Sequence, residues 1–375
     1  MSGHVRHLYV HLPFCAHRCG YCDFVTVVGR PGHHEAYVDA LLAELELERD
    51  CLAPSLETIF LGGGTPTLTE PAALERLLLA LPAAAEITVE ANPETVTPAL
   101  AALLRRAGAT RISLGAQSFQ PHLLATLERR AGPEAVRRAF YHLRDASFDN
   151  ISLDLLYGVP GQSPSDLERD VDEALTLWPE HLSYYELEAK PGTRFTHAHG
   201  EELRRQADSM ESYFERVVER LVSEGYRWYE TANFCREQSL EGGRDLRAHH
   251  NLAYWRGRDY LGLGIGAVST VEGTRRRTTR RLSAYIAALA GRARPQRELE
   301  LLTIDVAQRE RLMLGLRLDV PLRLDEVGTA MDYDALARVE QLGLARHTAG
   351  PDGQSLRLTK RGRFLGGAVT AELLA

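Results

Sequence analysis

Lysine is almost missing from this chain. Of 44 basic residues only Lys190 and Lys360 are lysine, and the rest are arginine. Genome composition accounts for such a bias, although arginine also suits bidentate carboxylate binding. With 51 acidic residues the formal charge is −7, which argues against a general nucleic-acid binder. Cysteine is scarce too, five in 375 residues. So few thiols, in a long chain whose opening Met-Ser-Gly-His-Val-Arg has no apolar export core, argue against a disulfide framework. No run is apolar for long enough to cross a bilayer, and there are no repeats or low-complexity tracts. The expectation is a cytoplasmic protein with at most a peripheral contact with a membrane. At 44% hydrophobic and 25% charged, the chain can bury a large core, and more than one domain is expected.

Three of the five cysteines stand together, in Phe14-Cys-Ala-His-Arg-Cys-Gly-Tyr-Cys-Asp-Phe24. This C-x3-C-x2-C spacing follows an apolar, strand-like stretch. Thiolates of Cys15, Cys19 and Cys22 on one short loop can hold three corners of a [4Fe–4S] cluster. Position 24 is phenylalanine, so one iron is left without a protein ligand and open to a small molecule. A zinc site would set a second ligand pair about 12 to 20 residues on, where only Cys51 and scattered histidines follow. The bland alternative is three incidental thiols. Cys51 and Cys235 read as ordinary buried thiols.

The first half alternates β-rich runs with amphipathic ones. Strands are predicted at His7–Leu12, Thr58–Leu61, Glu86–Ala91, Arg111–Gly115, Ile151–Tyr157 and Leu182–Glu188. Helices are predicted at His34–Asp50, Pro71–Leu81, Pro98–Ala107, Pro133–Ala146 and Ser165–Trp178, several opened by a proline or capping residue. Strict alternation implies an α/β fold of parallel strands with right-handed crossovers. Six units make a partial, open (β/α)6 TIM-like barrel rather than a closed eight-stranded one. Nearly every chemically notable residue then falls at the C-terminal rim, where the βα loops converge. After residue 200 the pattern predicts one long helix over Glu201–Glu224, a strand over Tyr226–Phe234, a Gly/Arg-rich loop over Glu241–Arg247 and a tight backbone region at Gly262-Leu-Gly-Ile-Gly266. From about Leu301 a compact module of short helices ends in a winged-helix-like pattern, from which no nucleic-acid function follows. The expected divisions are a core over 1–235, a connecting segment over 236–300 and a C-terminal α+β extension over 301–375.

The cysteine loop resembles the cluster motif of radical S-adenosylmethionine (SAM) enzymes. Its setting, Tyr9-Val-His-Leu-Pro-Phe-Cys, is similar to the anaerobic coproporphyrinogen III oxidase family, and nearest to that family's heme chaperone branch. The resemblance runs from about Tyr9 to the C-terminal residues. It implies a [4Fe–4S] cluster and SAM, whose amine and carboxylate chelate the open iron and whose sulfonium one electron cleaves to methionine and a 5′-deoxyadenosyl radical.

The same resemblance implies the SAM-site residues. Gly62-Gly-Gly-Thr-Pro-Thr67 matches the segment for the SAM amino group, through Gly62, Gly63, Gly64 and Thr65. Taken alone, three glycines are most often only a turn. Glu90, in Thr-Val-Glu-Ala-Asn-Pro, matches a glutamate that binds the ribose or amine; as a bare residue it reads as a rim salt bridge. Gln117, Asp154 and Arg129 match further positions, with Arg130 a one-place alternative to Arg129. Tyr9, Tyr21, Ala189 and Val268 (in Gly262–Ser269) complete the set.

Two departures separate the branches. The oxidases carry a further cysteine two places after the third ligand, where this chain has Phe24. They also carry a segment before the strand leading into the motif, and here that strand starts by about His7. His250-Asn-Leu-Ala-Tyr-Trp255 resembles the H-N-x-x-Y-W motif of the chaperone branch, whose histidine implies a heme ligand at His250. The bland alternative is a hydrogen-bonded histidine with Tyr254 and Trp255 in the core, and His249 is a second candidate by adjacency. Arg275-Arg-Arg-Thr-Thr-Arg-Arg281 reads as a solvated face, or as a contact for propionates, an anionic membrane or a partner. The implied function is a heme chaperone that delivers heme to an apoprotein, for instance a respiratory, membrane-associated one, with a low-potential electron donor such as a flavodoxin or ferredoxin. The alternatives are oxygen-independent coproporphyrinogen III oxidation and another radical SAM reaction.

Overall fold

The computed structural model describes residues 4–188, 190, 193–237, 243–351 and 353–375. Its frame is a nine-stranded sheet. Six strands come from the alternating half: β1 His7–Leu12, β2 Leu56–Gly63, β3 Ala84–Ala91, β4 Arg111–Gln117, β5 Ile151–Tyr157 and β6 His181–Glu186. They lie side by side in sequence order, all parallel. β1 is buried along its length except for a partly exposed Tyr9, as expected of a parallel strand covered on both faces. The covering helices are α1 His34–Glu48, α2 Pro71–Ala80, α3 Pro98–Arg106, α4 Pro121–Thr126, α5 Pro133–Asp145 and α6 Pro164–Leu177. The last five open on proline, which lacks the N–H that a first turn leaves unsatisfied. α6 adds a capping box between Ser163 and Asp166, a device worth about 1 kcal/mol.

The remainder differs from the expected pattern in three places. The run 201–224 is two helices, α7 Arg194–Gln206 and α8 Met210–Ser223, separated by a 3-10 turn at Ala207–Ser209. Asp208 and Ser209 favour turns over helix interiors, and Met210 packs against Gly158 beyond the break. The run 226–234 is a hairpin, β7 Tyr226–Glu230 and β8 Asn233–Arg236. The buried Glu230 carboxylate accepts from the Ala232 N–H (2.9 Å) and the Asn233 amide (2.6 Å), which bends the chain back. β8 pairs antiparallel with β6, so one edge of the sheet ends in this hairpin. The tight region at 262–266 begins as a strand, β9 Leu261–Leu263, parallel to β1. The sheet order is therefore β9-β1-β2-β3-β4-β5-β6-β8-β7, an open barrel with seven parallel strands rather than six. Of the loop expected at Glu241–Arg247, residues 241–242 lie outside the described residues; the rest is irregular.

α9 His249–Trp255 packs on β2. β10 Val268–Val271, β11 Thr274–Thr278 and β12 Arg297–Leu301 form a small antiparallel sheet, with α10 Leu282–Ala290 against α1. The arginine run lies on and after β11. Arg275 pairs with Glu300 and Glu310, Arg276 faces Glu48, and Arg277, Arg280 and Arg281 are exposed. The C-terminal part has its own apolar cluster. It runs α11 Ile304–Gly315, β13 Leu322–Arg323, α12 Tyr333–Gln341, the hairpin β14 Ala345–Gly350 and β15 Gly353–Leu358, then α13 Lys360–Phe364 and α14 Gly366–Leu373. Arg363 fastens it to the barrel, its guanidinium 3.6 Å over the Trp228 ring and donating to the Trp228 carbonyl.

Candidate cluster and cofactor site

The cysteine loop leaves the C-terminal end of β1. Phe14–Cys15 pairs with Val27–Val28, which closes the loop at its base. Inside it the Cys22 N–H donates to the Cys19 carbonyl, and the Arg18 guanidinium holds the Cys22 carbonyl. His17 fastens the loop to the Glu128 carbonyl at 2.7 Å, just past α4. Cys15, Cys19 and Cys22 are all unpaired and partly exposed. Burial pushes the Cys15 thiol up to about 11 and raises Cys22 as well. A bound metal supplies the positive charge that reverses such shifts.

Among the described residues no three His, Cys, Asp or Glu side chains converge on a single-ion site. A cubane makes no such demand, because each cysteine meets a different iron. The surroundings fit an anionic ligand beside the loop. The Arg129 guanidinium donates to Asn92 Oδ1 (2.9 Å) and the Gly115 carbonyl (3.0 Å), and approaches Cys19 Sγ at 4.0 Å. Among the described residues its Nε is buried with no partner. Asn92 also donates to Thr65 Oγ1 (3.1 Å), which lies 3.7 Å from Cys15 Sγ. One chain of contacts thus joins the loops after β1, β2, β3 and α4. Arg130, the one-place alternative, is exposed.

The glycine run is required by close approach. Gly63 has φ +112, in the region that disfavours side chains, and a Cβ on Gly64 would stand 2.5 Å from the Pro13 carbonyl. The Gly63 N–H donates to Glu90 Oε2 at 3.0 Å, and Gly62 lies against the same carboxylate. Burial raises the Glu90 carboxyl to about 7, with the nearby Asp154 charge adding to the effect and the Gly63 N–H opposing it. Asp154 accepts from Ser113 (2.7 Å) and Ser152 (3.1 Å). Gln117 ends β4 with φ +65, where the pairing to β5 slips register. Such strain in a non-glycine residue gathers at functional sites. Tyr9 shares a 2.9 Å hydrogen bond with His11 and stacks on Phe60. Tyr21 packs edge-on against Phe195. Val268 opens β10 with its carbonyl against Gly262, the residue registered with Tyr9. Ala189 lies outside the described residues.

The structure therefore gathers the cysteines, Thr65, Glu90, Gln117, Arg129 and Asp154 at the C-terminal rim, with Val268 at its β9 edge. Sequence reasoning missed Asn92 and His11. Asn92 lies two residues past Glu90 in the same quoted run, and His11 two past Tyr9, so the period-two spacing of a strand carried the signal.

His250 sits deeper. It is 1% exposed, and both ring nitrogens are engaged, Nδ1 with Thr58 Oγ1 (2.8 Å) and Nε2 with the Tyr254 hydroxyl (2.9 Å). Phe60 stacks on the ring, and burial drives its pKa to about 3. Neither nitrogen is free for iron in this arrangement. His249 is half-exposed, its Nε2 3.5 Å from Asp245. Of the lone thiols, Cys235 is buried and Cys51 only partly so.

Residues 9–174 match the family model of the radical SAM superfamily. A heme chaperone HemW of Mycobacterium tuberculosis is 37% identical over 388 aligned positions, covering all of this chain and 96% of that protein. The chain belongs to the HemW heme chaperone family. The HemW of Bacillus subtilis is 31% identical, with 98% of each chain covered, and that of Escherichia coli 36%, with 73% of each. The solved coproporphyrinogen III oxidase of Escherichia coli superposes with a TM-score of 0.80 over 99% of this chain and 90% of that one, at 22% identity, which shows a shared fold. Membership of this radical SAM family implies a [4Fe–4S] cluster and SAM as the cofactors of the rim. No helix among the described residues is long and apolar enough to cross a membrane.

Proposed function

We propose that this chain is a heme chaperone that holds a [4Fe–4S] cluster on Cys15, Cys19 and Cys22, binds SAM across the rim, and delivers heme to an acceptor protein. The observation that carries it is the whole-length likeness to named heme chaperones. When bound, the cluster and SAM supply one-electron reductive cleavage of a sulfonium, for which a low-potential donor is needed.

The chain's own residues do the rest. Arg129 offers a guanidinium edge to a carboxylate, with its unpartnered Nε the atom to be satisfied. Gly63 and Gly64 bring the backbone close to the loop after β1, and the Glu90 carboxylate beside Gly63 is suited to an ammonium. Near neutral pH Glu90 is divided between acid and base, and a cation beside it favours the charged form. Tyr9, Gln117, Asp154, Tyr21 and Val268 shape the remaining wall, and Ala189 is assigned there by the family pattern. Thr65 fixes the Cys15 sulfur. The divisions 1–235, 236–300 and 301–375 are retained as a proposal, with β9 of the middle segment built into the barrel sheet and a separate apolar cluster in the last. An acceptor in a membrane and a peripheral location belong to the same proposal.

The test is anaerobic reconstitution followed by SAM binding, heme binding and transfer of heme to an apoprotein, all on one sample. A cubane signal lost in the Cys15, Cys19 and Cys22 triple alanine variant, with heme bound and handed on, is the expected outcome. A reconstituted protein that takes up no heme, or that converts coproporphyrinogen III, overturns the chaperone function.

A further inference from the structure

A row of polar side chains crosses four neighbouring strands of the barrel. Glu90 on β3, Ser113 on β4, Ser152 on β5 and His181 on β6 stand in register. Asp154 lies two residues beyond Ser152 on β5, so it shares that face. His181 is 0% exposed, and Ser152 and Tyr229 are buried with it. An imidazole in so closed a place is costly unless its nitrogens are engaged.

The partners fix where the hydrogens of this row lie. Ser152 Oγ donates to Asp154 Oδ1 at 3.1 Å, and Ser113 Oγ donates to Oδ2 at 2.7 Å. A hydroxyl has one proton. Toward His181 Nδ1, 2.8 Å away, Ser152 Oγ is therefore the acceptor, and the ring nitrogen carries the hydrogen. Burial, with the Arg111 charge adding to it, holds the His181 pKa well below the ordinary 6.5. The ring is neutral, so its Nε2 offers a lone pair. The Tyr229 hydroxyl lies 2.7 Å from that nitrogen and donates to it. Burial pushes this phenol well above its ordinary 10, so it keeps its proton. Its oxygen in turn accepts from the Ala248 N–H at 3.1 Å. One directed chain results, from the backbone entering α9 through Tyr229, His181 and Ser152 to Asp154. The other neutral tautomer would take the Ser152 proton away from Asp154 and leave the Tyr229 proton without an acceptor in the chain.

Resting on the proposed function above, in which Asp154 forms part of the SAM pocket wall, we propose that His181 is a positioning residue for that carboxylate. It acts through Ser152. By donating to the Ser152 oxygen, the Nδ1–H turns the only hydroxyl proton onto Asp154 Oδ1, while Ser113 holds Oδ2. Asp154 itself is only half-buried. A carboxylate accepts at about four lone-pair sites, so two hydroxyls fix its plane and leave the others for a ligand. A side chain locked in this way need not be ordered when the ligand binds. Tyr229 sets the tautomer of His181, and the Ala248 backbone anchors the far end of the chain.

The test is SAM binding to the cluster-loaded full chain by anaerobic equilibrium dialysis. Wild type, His181→Asn, His181→Gln, Asp154→Ala and the double variant His181→Gln/Asp154→Ala are compared, each checked for folding by circular dichroism and for cluster content. An asparagine amide stands where Nδ1 does and can donate to Ser152. A glutamine amide reaches where Nε2 does and serves Tyr229 instead. His181→Asn is expected to bind SAM within about threefold of wild type, although it loses the Tyr229 bond and melts lower. His181→Gln is expected to weaken SAM about tenfold. Without the Asp154 carboxylate the histidine has nothing to position, so the double variant is expected to bind as Asp154→Ala does. Equal losses in the asparagine and glutamine variants, or losses that add in the double variant, make His181 a brace alone and overturn the proposal. NMR of the histidine ring nitrogens in cluster-free wild type is expected to show a neutral His181 with its hydrogen on Nδ1. A hydrogen on Nε2 overturns the proposal, and this arm needs no variant, so misfolding of a mutant cannot shelter it. Wild type that binds no SAM removes the cofactor site and this role together. Wild type that binds SAM, with both His181 variants unchanged, removes this role alone.

Discussion

His250 Nδ1 lies 2.8 Å from Thr58 Oγ1, a contact that ties α9 to β2 across 192 residues of sequence. The same hydroxyl lies 2.9 Å from His7 Nδ1. A threonine hydroxyl has one proton, so it donates to one imidazole and accepts from the other. All three residues are buried. The first residue of the motif His250–Trp255 therefore acts here as a brace between the barrel and α9. It also links His7, through Thr58, to the aromatic contacts of Phe60 and Tyr9.

Thr58→Val keeps the shape and removes both bonds. Two buried imidazole nitrogens lose a partner, which costs about 1–3 kcal/mol for each group left unsatisfied. Urea unfolding should show a lowered midpoint with an unchanged slope. A midpoint equal to that of wild type would mean that the brace carries no stability.

Much of the barrel was legible because parallel strands and their helices announce themselves locally. β1 and β5 are where the apolar runs put them, and proline marks the first turn of α2, α3 and α5. The cysteine loop was legible because three sulfurs must come from one short segment. What stayed hidden depends on tertiary contacts. Glu230 folds the run 226–234 into a hairpin by capping its turn, and nothing in the run's composition announces that. β9 has three residues and gains its strand character from β1. The engagement of His250 depends on Thr58, a partner that no motif contains. The family pattern points to Arg129 and the period-two spacing after Glu90 to Asn92, but their contact depends on the turns after β3 and α4 lying side by side.

The Glu90 carboxyl is raised from its ordinary 4.5 to about 7, mainly by burial. In the cofactor-free protein the folded state therefore holds a proton that the unfolded chain releases. The stability this lends is fully present below pH 4.5 and is lost as pH rises through 7. Glu90→Gln cannot titrate. Its melting temperature relative to wild type should climb between about pH 5 and pH 8. Melting curves that run parallel across that range would show that Glu90 ionises freely in the fold.

Arg129→Lys keeps a positive charge and loses the planar fork. Lysine cannot hold Asn92 and the Gly115 carbonyl while also offering an edge to a carboxylate. SAM affinity of the cluster-loaded protein, measured by anaerobic equilibrium dialysis, should fall about tenfold or more, in line with 1.5–3 kcal/mol for a charge-assisted hydrogen bond. The cluster content should stay near that of wild type, since the three cysteines are untouched. Undiminished SAM binding in the lysine variant would place the ligand's carboxylate elsewhere.

Gln117 offers the opposite balance between stability and binding. Its φ of +65 is a conformation that glycine adopts freely and glutamine does not. Strain of this kind costs about 1–3 kcal/mol, and glycine returns about 0.5–1 kcal/mol of that through its more flexible unfolded chain. Gln117→Gly should therefore be more stable than wild type by about 1 kcal/mol, read as a higher urea midpoint. The same change deletes the side chain assigned to the SAM pocket, so SAM binding should weaken as the fold strengthens. A variant that is both less stable and equally avid for SAM would refute the account twice, since the strain would be absent and the side chain idle.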